Sequence, residues 1–292
     1  MDTEKCRILL SILKNGSMSA AADELGYTPS GISRAVEAME TAAGFPILLR
    51  SRKGVSLSRE GEALLPAVKE LAYWGESYEQ TAQKLCGLNI GRLAVGTSYV
   101  KYYPWLTKVI SGFHEQYPGI SAEICSGTSC ELAEKMAERE LDFAIISRRE
   151  GPFRSVRVRE DDLVALLPFN HPLAGENSVT AEIFAREPYI EIYNGRETDN
   201  SHCFASRGIK PNISFSTPDS FVAWSMVKAG LGITLVNRVI SEELGEGTVC
   251  IPLEPPEKVD ICVILPEREV ISPAAACFAA YAKEHIDELK KL

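Results

Sequence analysis

The sequence has little that would place it in a membrane or outside the cell. None of its apolar runs approaches the roughly 20 residues that a membrane-spanning helix needs. Its first ten residues, MDTEKCRILL, are acidic and lack the basic segment and long apolar run of a secretory signal peptide. The sequence therefore predicts a cytoplasmic protein.

Close cysteine pairs and common catalytic motifs are also missing. Eight cysteines are scattered along the chain without a Cys-x-x-Cys spacing, so we expect reduced thiols and neither a metal nor another cofactor. No glycine-rich nucleotide loop, nucleophile elbow or H-E-x-x-H motif occurs. Four widely spaced histidines complete the inventory, and His202 has no nucleophile or metal partner close in sequence. We therefore do not expect an enzyme.

Positive charge is scarce and unevenly distributed. The 292 residues carry a net charge of −9. Residues 1–60 hold eight Lys or Arg against seven Asp or Glu, so this segment is +1 and the remainder of the chain is −10. Its cations cluster at Arg50, Arg52, Lys53 and Arg59. A local basic edge of this kind suffices to bind phosphates, while an acidic body keeps the rest of the molecule away from them.

Apolar periodicity and helix-capping residues predict three short helices at the N-terminus. Ser17 and Thr28 are the expected N-caps of the second and third helices, and Pro29 stands in the first turn of the third, where its missing N–H costs nothing. Two short helices, a tight turn and a third helix with a polar outer face are typical of a helix-turn-helix. A three-helix bundle with a solvated polar face fits this pattern equally well.

The polar face of the third helix is the surface expected to enter a DNA major groove. An arginine there binds guanine in a bidentate way, and serines reach base edges or phosphates. The candidate residues on this helix are Thr28, Pro29, Ser30, Ser33 and Arg34. An alternating segment over residues 46–58 predicts a β-hairpin wing, whose candidate phosphate contacts are Arg50, Arg52 and Lys53.

The segment GSMSAAADELGYTPSGISRAVEAMETAAGFPILLRSRKGVSLSREGEALL resembles the DNA-binding domain of the LysR-type transcriptional regulators. The matching landmarks are Ser17, Ala20 to Ala22 with Leu25, Ser33-Arg34, Glu40, Gly44, Arg50, Leu57-Ser58 and Gly61. Gly31 replaces a usual alanine, Leu48 a usual phenylalanine and Ser58 a usual threonine. The stretches RLAVGTS, FHEQYPGI, LDFAII, HPLAG and VKAGLGITLV extend the resemblance over nearly the whole chain.

A long helix is predicted from the N-cap Ser58 to Cys86. Its apolar positions step alternately by four and three, which is a heptad pattern. Since no intrachain cover is apparent, we expect this seam to pair two subunits, with an amphipathic helix packed on its own domain as the alternative. The seam consists of Leu64, Val68, Leu71, Gly75, Tyr78, Ala82 and Leu85.

Beyond this helix, short apolar runs alternate with helical stretches, which predicts an α/β domain with a mostly parallel sheet. The resemblance implies a two-lobed domain like a periplasmic binding protein. We therefore expect an N-terminal α-helical winged helix-turn-helix over residues 1–60, a linker and dimerisation helix over 61–88, and an effector-binding domain over 89–292. Lobe I would comprise about 89–160 and 263–292, and lobe II about 161–262.

Hydroxyl residues after the first two strands of this domain are candidates for binding a small anion beside helix N-termini. The resemblance implies effector contacts at Thr97, Ser98, Thr128 and Ser129, and at polar positions of matching loops, Thr198, Asn200, Ser201 and Thr217. Tyr99 and Lys101 are expected to add an aromatic wall and a cation. The alternative for the hydroxyls is a helix-capping role alone.

The resemblance implies a sequence-specific transcriptional regulator controlled by a small, anionic effector. Its expected partners are double-stranded DNA with two half-sites, the effector, a second copy of the chain paired through residues 61–88, a tetramer made of two such pairs, and RNA polymerase. A thiol-based redox sensor of the same architecture is the alternative, although Cys203 has no neighbouring cysteine in its region.

Overall fold

The chain forms two units, each with its own internal contacts. The computed structural model describes residues 2–51, 54–85, 90–241, 246–267 and 271–291. The first unit comprises Met1–Gly91 with Val270–Ala274, and the second comprises Arg92–Glu269 with Ala275–Leu292. Among the described helices, none combines the length and apolar character needed to pass through a bilayer.

The first unit begins with the three predicted helices. They are α1 (Thr3–Asn15), α2 (Met18–Leu25) and α3 (Pro29–Ala43). Ser17 Oγ accepts a hydrogen bond from Ala20 N at 3.4 Å, and Thr28 Oγ1 accepts one from Gly31 N at 3.1 Å. A Cβ added at Gly31 would lie 3.2 Å from Thr28 Oγ1. Crowding at the cap therefore offsets part of the ~1 kcal/mol that alanine would contribute to helix stability.

The predicted hairpin wing is present. It consists of β1 (Leu48–Ser51) and β2 (Gly54–Leu57), which pair antiparallel. Val55 N donates to Gly16 O at 3.1 Å, so the wing is hydrogen-bonded to the turn between α1 and α2. Arg52 and Lys53, at the tip, lie outside the described residues.

The junction between α3 and the wing explains several of the sequence landmarks. Glu40 Oε1 accepts hydrogen bonds from Ile47 N at 2.8 Å and Leu48 N at 3.0 Å. Ser58 Oγ accepts from Gly61 N at 2.9 Å and so caps the following helix as predicted. A Cβ on Gly61 would lie 2.3 Å from Ile47 O. The backbones approach each other here too closely for any side chain.

The long helix α4 (Arg59–Leu85) corrects the expectation that its seam lacks intrachain cover. Val68 is fully buried in the core of the first unit, and Leu64 packs against the same core. A Cβ on Gly75 would lie 2.5 Å from Thr3 Cγ2. Gly75 therefore permits close packing of α1 against α4 within one chain.

The other later positions of the predicted α4 seam are exposed. Trp74, next to Gly75, is also exposed, although it was not among the predicted seam positions. These side chains repeat at heptad spacing along the helix. The exposed fractions are 45% for Leu71, 40% for Trp74, 75% for Tyr78 and 85% for Leu85.

The second unit contains a first lobe of alternating strands and helices. Its elements are β3 (Gly91–Thr97), a 3-10 turn (Val100–Tyr102), α5 (Tyr103–Gln116), β4 (Ile120–Ser126), α6 (Ser129–Ala137) and β5 (Phe143–Ser147). Two long strands follow or return to this lobe: β6 (Phe153–Pro168) and, later in the chain, β10 (Thr248–Pro266).

A second lobe lies between those two long strands in the sequence. Its elements are α7 (Ile183–Arg186), β7 (Tyr189–Ile192), α8 (Asp199–Ser206), β8 (Ile213–Thr217), α9 (Ser220–Lys228), β9 (Thr234–Asn237) and α10 (Arg238–Ser241). The final helix α11 (Pro273–Leu289) follows β10. Each lobe has its own cluster of buried apolar residues.

The sheet is mixed, which corrects the prediction of a mostly parallel one. The described strands of the largest sheet follow the order β4-β3-β5-β10-β6-β9. β3 pairs with β5 in parallel, whereas β10 runs antiparallel to both β5 and β6, and β6 runs antiparallel to β9. Because β6 and β10 are long, they extend through both lobes, and no alternation of short apolar runs signals such strands.

Candidate functional site

The outer face of α3 presents a free arginine. Thr28, Pro29, Ser30 and Arg34 are exposed, and Ser33 is half-buried. Arg34 makes no ion pair within the part of the chain that the structure describes. The predicted recognition residues therefore share one accessible face, with the guanidinium available to an external partner.

The free cations of the first unit gather near α3, the wing and the start of α4. Arg50 and Arg59 are exposed and, like Arg34, have no acidic partner among the described residues. By contrast, acidic side chains of the same unit hold cations elsewhere: Lys5 pairs with Asp2, Arg7 with Glu79 and Lys14 with Glu24. Among the described residues, the unpaired positive charge of the first unit therefore lies on the elements predicted to contact DNA.

The second unit contains a cleft between its two lobes. Its cavity of about 70 Å³ holds only a few water molecules. The lining residues from the first lobe are Ser98, Tyr99, Gly127, Thr128, Ser129 and Arg149, and those from the second are Ile192, Tyr193, Thr198, Asp199, Asn200, Ser220, Asn237 and Ile240. Six of the ten predicted effector residues line it: Ser98, Tyr99, Thr128, Ser129, Thr198 and Asn200.

A largely buried ion pair crosses this cleft. Arg149 Nη2 lies 2.7 Å from Asp199 Oδ1, and the two side chains are 14% and 11% exposed. Burial by itself lowers the pKa of the Arg149 guanidinium, but the charge of Asp199 and the hydrogen bond to Cys130 outweigh it, so the net shift is upward. The arginine is thus held charged, with its charge already neutralised from the opposite lobe.

Hydroxyl groups extend the network around Asp199. Ser147 Oγ donates to Asp199 Oδ1 at 2.7 Å and accepts from Arg149 Nη1 at 2.9 Å. Ser98 Oγ and Ser129 Oγ lie 2.9 Å apart, and Ser129 Oγ also accepts from Ser147 N at 3.0 Å. The cleft therefore holds several hydroxyls that hydrogen-bond one another, the backbone and Asp199.

Tyr99 lines the cleft as the predicted aromatic wall. Its OH lies 3.4 Å from Asp199 Oδ2. Burial, aided by the charge of Asp199, raises the pKa of the Tyr99 phenol well above its usual value. The phenol is therefore a neutral hydrogen-bond donor toward the cleft.

Two of the predicted hydroxyls are used to cap helices. Thr128 Oγ1 accepts from Glu131 N at 3.2 Å, and Thr198 Oγ1 accepts from Ser201 N at 3.2 Å. Both threonines line the cavity, but their oxygen lone pairs are partly engaged. Capping and cleft lining thus coincide at these residues.

Four predicted effector residues, Thr97, Lys101, Ser201 and Thr217, are absent from the lining of this cavity, and their assignment stays a prediction. Thr97 Oγ1 accepts from Tyr99 N at 3.1 Å and so closes a local turn. Ser201 forms the capping box of α8, and Thr217 Oγ1 accepts from Asp219 N at 3.2 Å. Lys101 lies on the 3-10 turn and is absent from the lining.

Sequence reasoning missed Arg149, Asp199, Tyr193 and Asn237. Asn237 Nδ2 is buried and has no hydrogen-bond partner among the described atoms, which is typical of a group awaiting a ligand or water. Tyr193 has a φ of 63°, a conformation that side chains disfavour and that often marks functional sites. The sequence did offer one signal for Asp199, because this residue lies between Thr198 and Asn200, which were both predicted to contact the effector.

The cysteine environments give the redox alternative little support. The seven cysteines that the structure describes are all unpaired. Cys203 is 1% exposed, and burial raises the pKa of its thiol to about 11. Burial also raises the pKa values of the Cys125 and Cys250 thiols. A redox sensor needs an exposed thiol with a lowered pKa.

One titratable cluster brings His202 close to two other groups that can bind a metal ion. Potential ligand atoms of Cys130, Glu197 and His202 all lie within 4.8 Å of one another. His202 Nε2 hydrogen-bonds Glu197 Oε1. Cys130 belongs to α6 of the first lobe, and the other two belong to the second lobe, so no sequence spacing predicts their meeting.

Comparison with known proteins covers both units. The family profile described as bacterial regulatory helix-turn-helix protein, lysR family, matches residues 3–62. The profile described as LysR substrate binding domain matches residues 87–287. YvbU, an uncharacterized HTH-type transcriptional regulator of Bacillus subtilis (strain 168), is 26% identical over 287 residues, covering 97% of this chain and 98% of the relative. CysB of Burkholderia cenocepacia, an HTH-type transcriptional regulator, is 26% identical over 251 residues, covering 83% and 80%.

Solved structures show the same fold. CbnR, a LysR family transcriptional regulator, matches with a TM-score of 0.64 and 19% identity over 100% of both chains. A full-length OxyR variant from Pseudomonas aeruginosa matches with a TM-score of 0.67 and 18% identity, covering 100% of this chain and 95% of that one.

A DNA-binding helix-turn-helix joined to a two-lobed effector-binding domain defines a ligand-responsive transcriptional regulator. The chain belongs to the LysR family of these regulators.

Proposed function

We propose that the effector carries an anionic group that replaces Asp199 as the partner of Arg149. The carrying observation is the 2.7 Å contact between these two side chains across the cleft. A buried guanidinium is strongly destabilising unless a carboxylate or similar group stays beside it. An incoming carboxylate or phosphate supplies that group and frees Asp199, so the lobes gain a second stable arrangement.

The surrounding donors fit such a ligand. Ser98 and Ser129 contribute hydroxyls, Tyr99 a neutral phenol, and Asn237 an amide with an unused donor. The N-terminus of α6 adds the partial positive charge of a helix end. Because the existing cavity is small, a ligand of more than a few atoms requires the lobes to separate. Effector binding is thereby coupled to lobe geometry.

A thermal-shift screen of the full-length protein against small carboxylates, phosphates and sulfonates tests this proposal. A ligand that prefers the folded state raises the unfolding temperature. For a hit, Ser98→Ala should weaken affinity by about 10- to 150-fold, the value of one hydrogen bond to a charged group. Ser225→Ala, on the exposed part of α9, is the matched control. Wild-type affinity in folded Ser98→Ala and Arg149→Gln proteins would move the effector elsewhere.

For DNA recognition, we propose that Arg34 reads a guanine and that Thr28, Pro29, Ser30 and Ser33 contact adjacent base edges or phosphates. Arg50, with Arg52 and Lys53, is assigned to phosphates beside the wing. The free charge of Arg34 and Arg50 supports this division. CbnR, a structural relative, has been solved in complex with its target DNA, with a TM-score of 0.59 to this chain.

We also propose that two chains pair through the exposed side chains of α4, within the linker region 61–88. Leu71→Glu should dissociate the pair in light scattering and weaken binding to two half-sites spaced by whole turns of about 10–10.5 bp. Glu70→Gln, one residue away, serves as the control. An unchanged assembly in Leu71→Glu would assign pairing to another surface. We further propose that two such pairs form a tetramer, that the protein contacts RNA polymerase, and that it acts in the cytoplasm.

A further inference from the structure

Three metal-ligating side chains meet at the rim of the effector cleft, outside its lining. They are Cys130, Glu197 and His202, whose potential ligand atoms lie within 4.8 Å of one another. Cys130 directly follows the cleft residue Ser129 on α6. Glu197 and His202 flank the first turn of α8, which bears the cleft residue Asp199.

We propose that these three residues bind a divalent transition metal of the zinc type, which links the two lobes beside the effector cleft. Thiolate, imidazole and carboxylate are the ligands that zinc uses in proteins. In a tetrahedral site with bonds of about 2.0–2.3 Å, ligand atoms lie roughly 3.3–3.7 Å apart. Small side-chain rotations therefore suffice to bring the three groups into coordination distance.

The surroundings suit such a site. Arg149 Nε donates to Cys130 Sγ at 3.0 Å, a hydrogen bond that a metal-bound thiolate retains. His202 and Glu197 are 49% and 64% exposed, so a metal ion and its fourth ligand, a water molecule, have access from solvent. A bound metal ion takes the place of the hydrogen bond between His202 and Glu197.

This arrangement differs from an ordinary surface ion pair in one respect. A His–Glu pair alone requires only the second lobe, whereas the sulfur comes from the first. A metal bound by all three residues holds the lobes together at this rim, and it prefers the lobe arrangement that brings the ligands closest. Metal occupancy is thereby linked to lobe closure, whichever small molecule the cleft binds.

Titration of the reduced full-length protein with Co²⁺, as a spectroscopic substitute for Zn²⁺, tests the site. We expect one equivalent to bind, with a thiolate-to-cobalt charge-transfer band and the intense visible bands of tetrahedral cobalt. Cys130→Ser should abolish the charge-transfer band, and His202→Gln and Glu197→Gln should each weaken affinity about tenfold or more. Zn²⁺ should compete for the same equivalent.

Cys277→Ser and His114→Gln are the matched controls, since both residues are remote in sequence from the cluster, and both variants should bind cobalt like the wild type. Unfolding temperature provides a second measurement: Zn²⁺ should raise it in the wild type and in the controls but not in Cys130→Ser. The proposal is overturned if the wild type binds no cobalt equivalent, or if the charge-transfer band persists in folded Cys130→Ser protein.

Discussion

The arginines proposed to bind ligands differ between the two units in exposure and in pairing. In the first unit, Arg34 and Arg50 are exposed and have no acidic partner among the described residues. In the second, Arg149 is largely buried and is bound to Asp199, Ser147 and Cys130. The surface that we propose contacts DNA thus needs no rearrangement to bind a polyanion, whereas effector binding as we propose it requires an exchange of partners in the cleft.

This difference follows from what each surface has to do. A DNA-binding face gains affinity from every phosphate that it neutralises, so its cations stay free and solvated. An effector site has to distinguish occupied from empty states, and a ligand shifts that equilibrium only through its different affinity for the two. In our proposal, the internal counter-ion Asp199 creates this difference, because it pairs with Arg149 until the effector binds.

The largest expected effect comes from removing the buried cation. Arg149→Leu should lower the free energy of unfolding of the second unit by about 3–5 kcal/mol, because Asp199 is left buried without a counter-charge. Chemical denaturation followed by circular dichroism measures it. Arg149→Leu combined with Asp199→Leu should recover most of the loss. Lys108→Leu, in an exposed pair with Glu288, is the control and should cost under about 1 kcal/mol. If Arg149→Leu and Lys108→Leu lower the free energy of unfolding by the same amount, Arg149 is not the internally held cation that we describe.

The next effect separates base reading from phosphate contact in the first unit. Arg34→Ala should lose about 1–3 kcal/mol of binding free energy on the cognate site and relax preference at one base. Arg50→Ala should weaken cognate and random DNA alike and reduce the salt slope by about one phosphate contact. Fluorescence anisotropy at several salt concentrations measures both. Arg7→Ala, whose charge is paired with Glu79, should change neither. Equal losses on both DNAs for Arg34→Ala would contradict its reading role.

The smallest effect concerns an acid that neutralises a cation within the first unit. Hydrogen bonds from Ser11, then Lys14 and Asn15, lower the pKa of Glu24 from 4.5 to about 2. A carboxylate with a depressed pKa stabilises the fold above pH 4.5, and this contribution is lost as the pH falls toward 2. Glu24→Gln should therefore reduce stability at pH 7 and flatten the fall in stability between pH 4.5 and 2, measured by denaturant unfolding.

Asp23→Asn is the matched control for that experiment. Asp23 is exposed and makes no hydrogen bond or ion pair with any described residue. The pH dependence of its variant should match that of the wild type. An equally steep pH dependence in Glu24→Gln would show that other carboxylates dominate acid unfolding of this unit.

Much of the first unit was predictable because its signals are local. Ser17 and Thr28 bond backbone groups three residues ahead, and the wing is a hairpin of neighbouring strands. Such short-range geometry follows from residue type and spacing. The polar face of α3 and the exposure of Arg34 were predicted for the same reason.

The α4 seam shows where local periodicity becomes insufficient. The heptad spacing was visible in the sequence, but spacing does not say which partner covers each position. Val68 and Gly75 face their own chain, because α1 packs against that part of α4. Leu71, Tyr78 and Leu85 of the same pattern remain exposed. An intrachain contact and an interchain seam produce the same periodicity.

The sequence by itself determined the family, the helix caps, the wing and six of the residues that line the cleft. Tertiary structure alone decided which groups of the two lobes meet in the cleft and beside it. Asp199 meets Arg149 from 50 positions away in the chain, and Cys130 meets His202 across two lobes. Neither pair has a local spacing or a turn that signals it, because each forms only when the two lobes bring together residues that are distant in sequence. Charge and ligand type are written in the sequence, whereas the pairing of charges depends on how the lobes assemble.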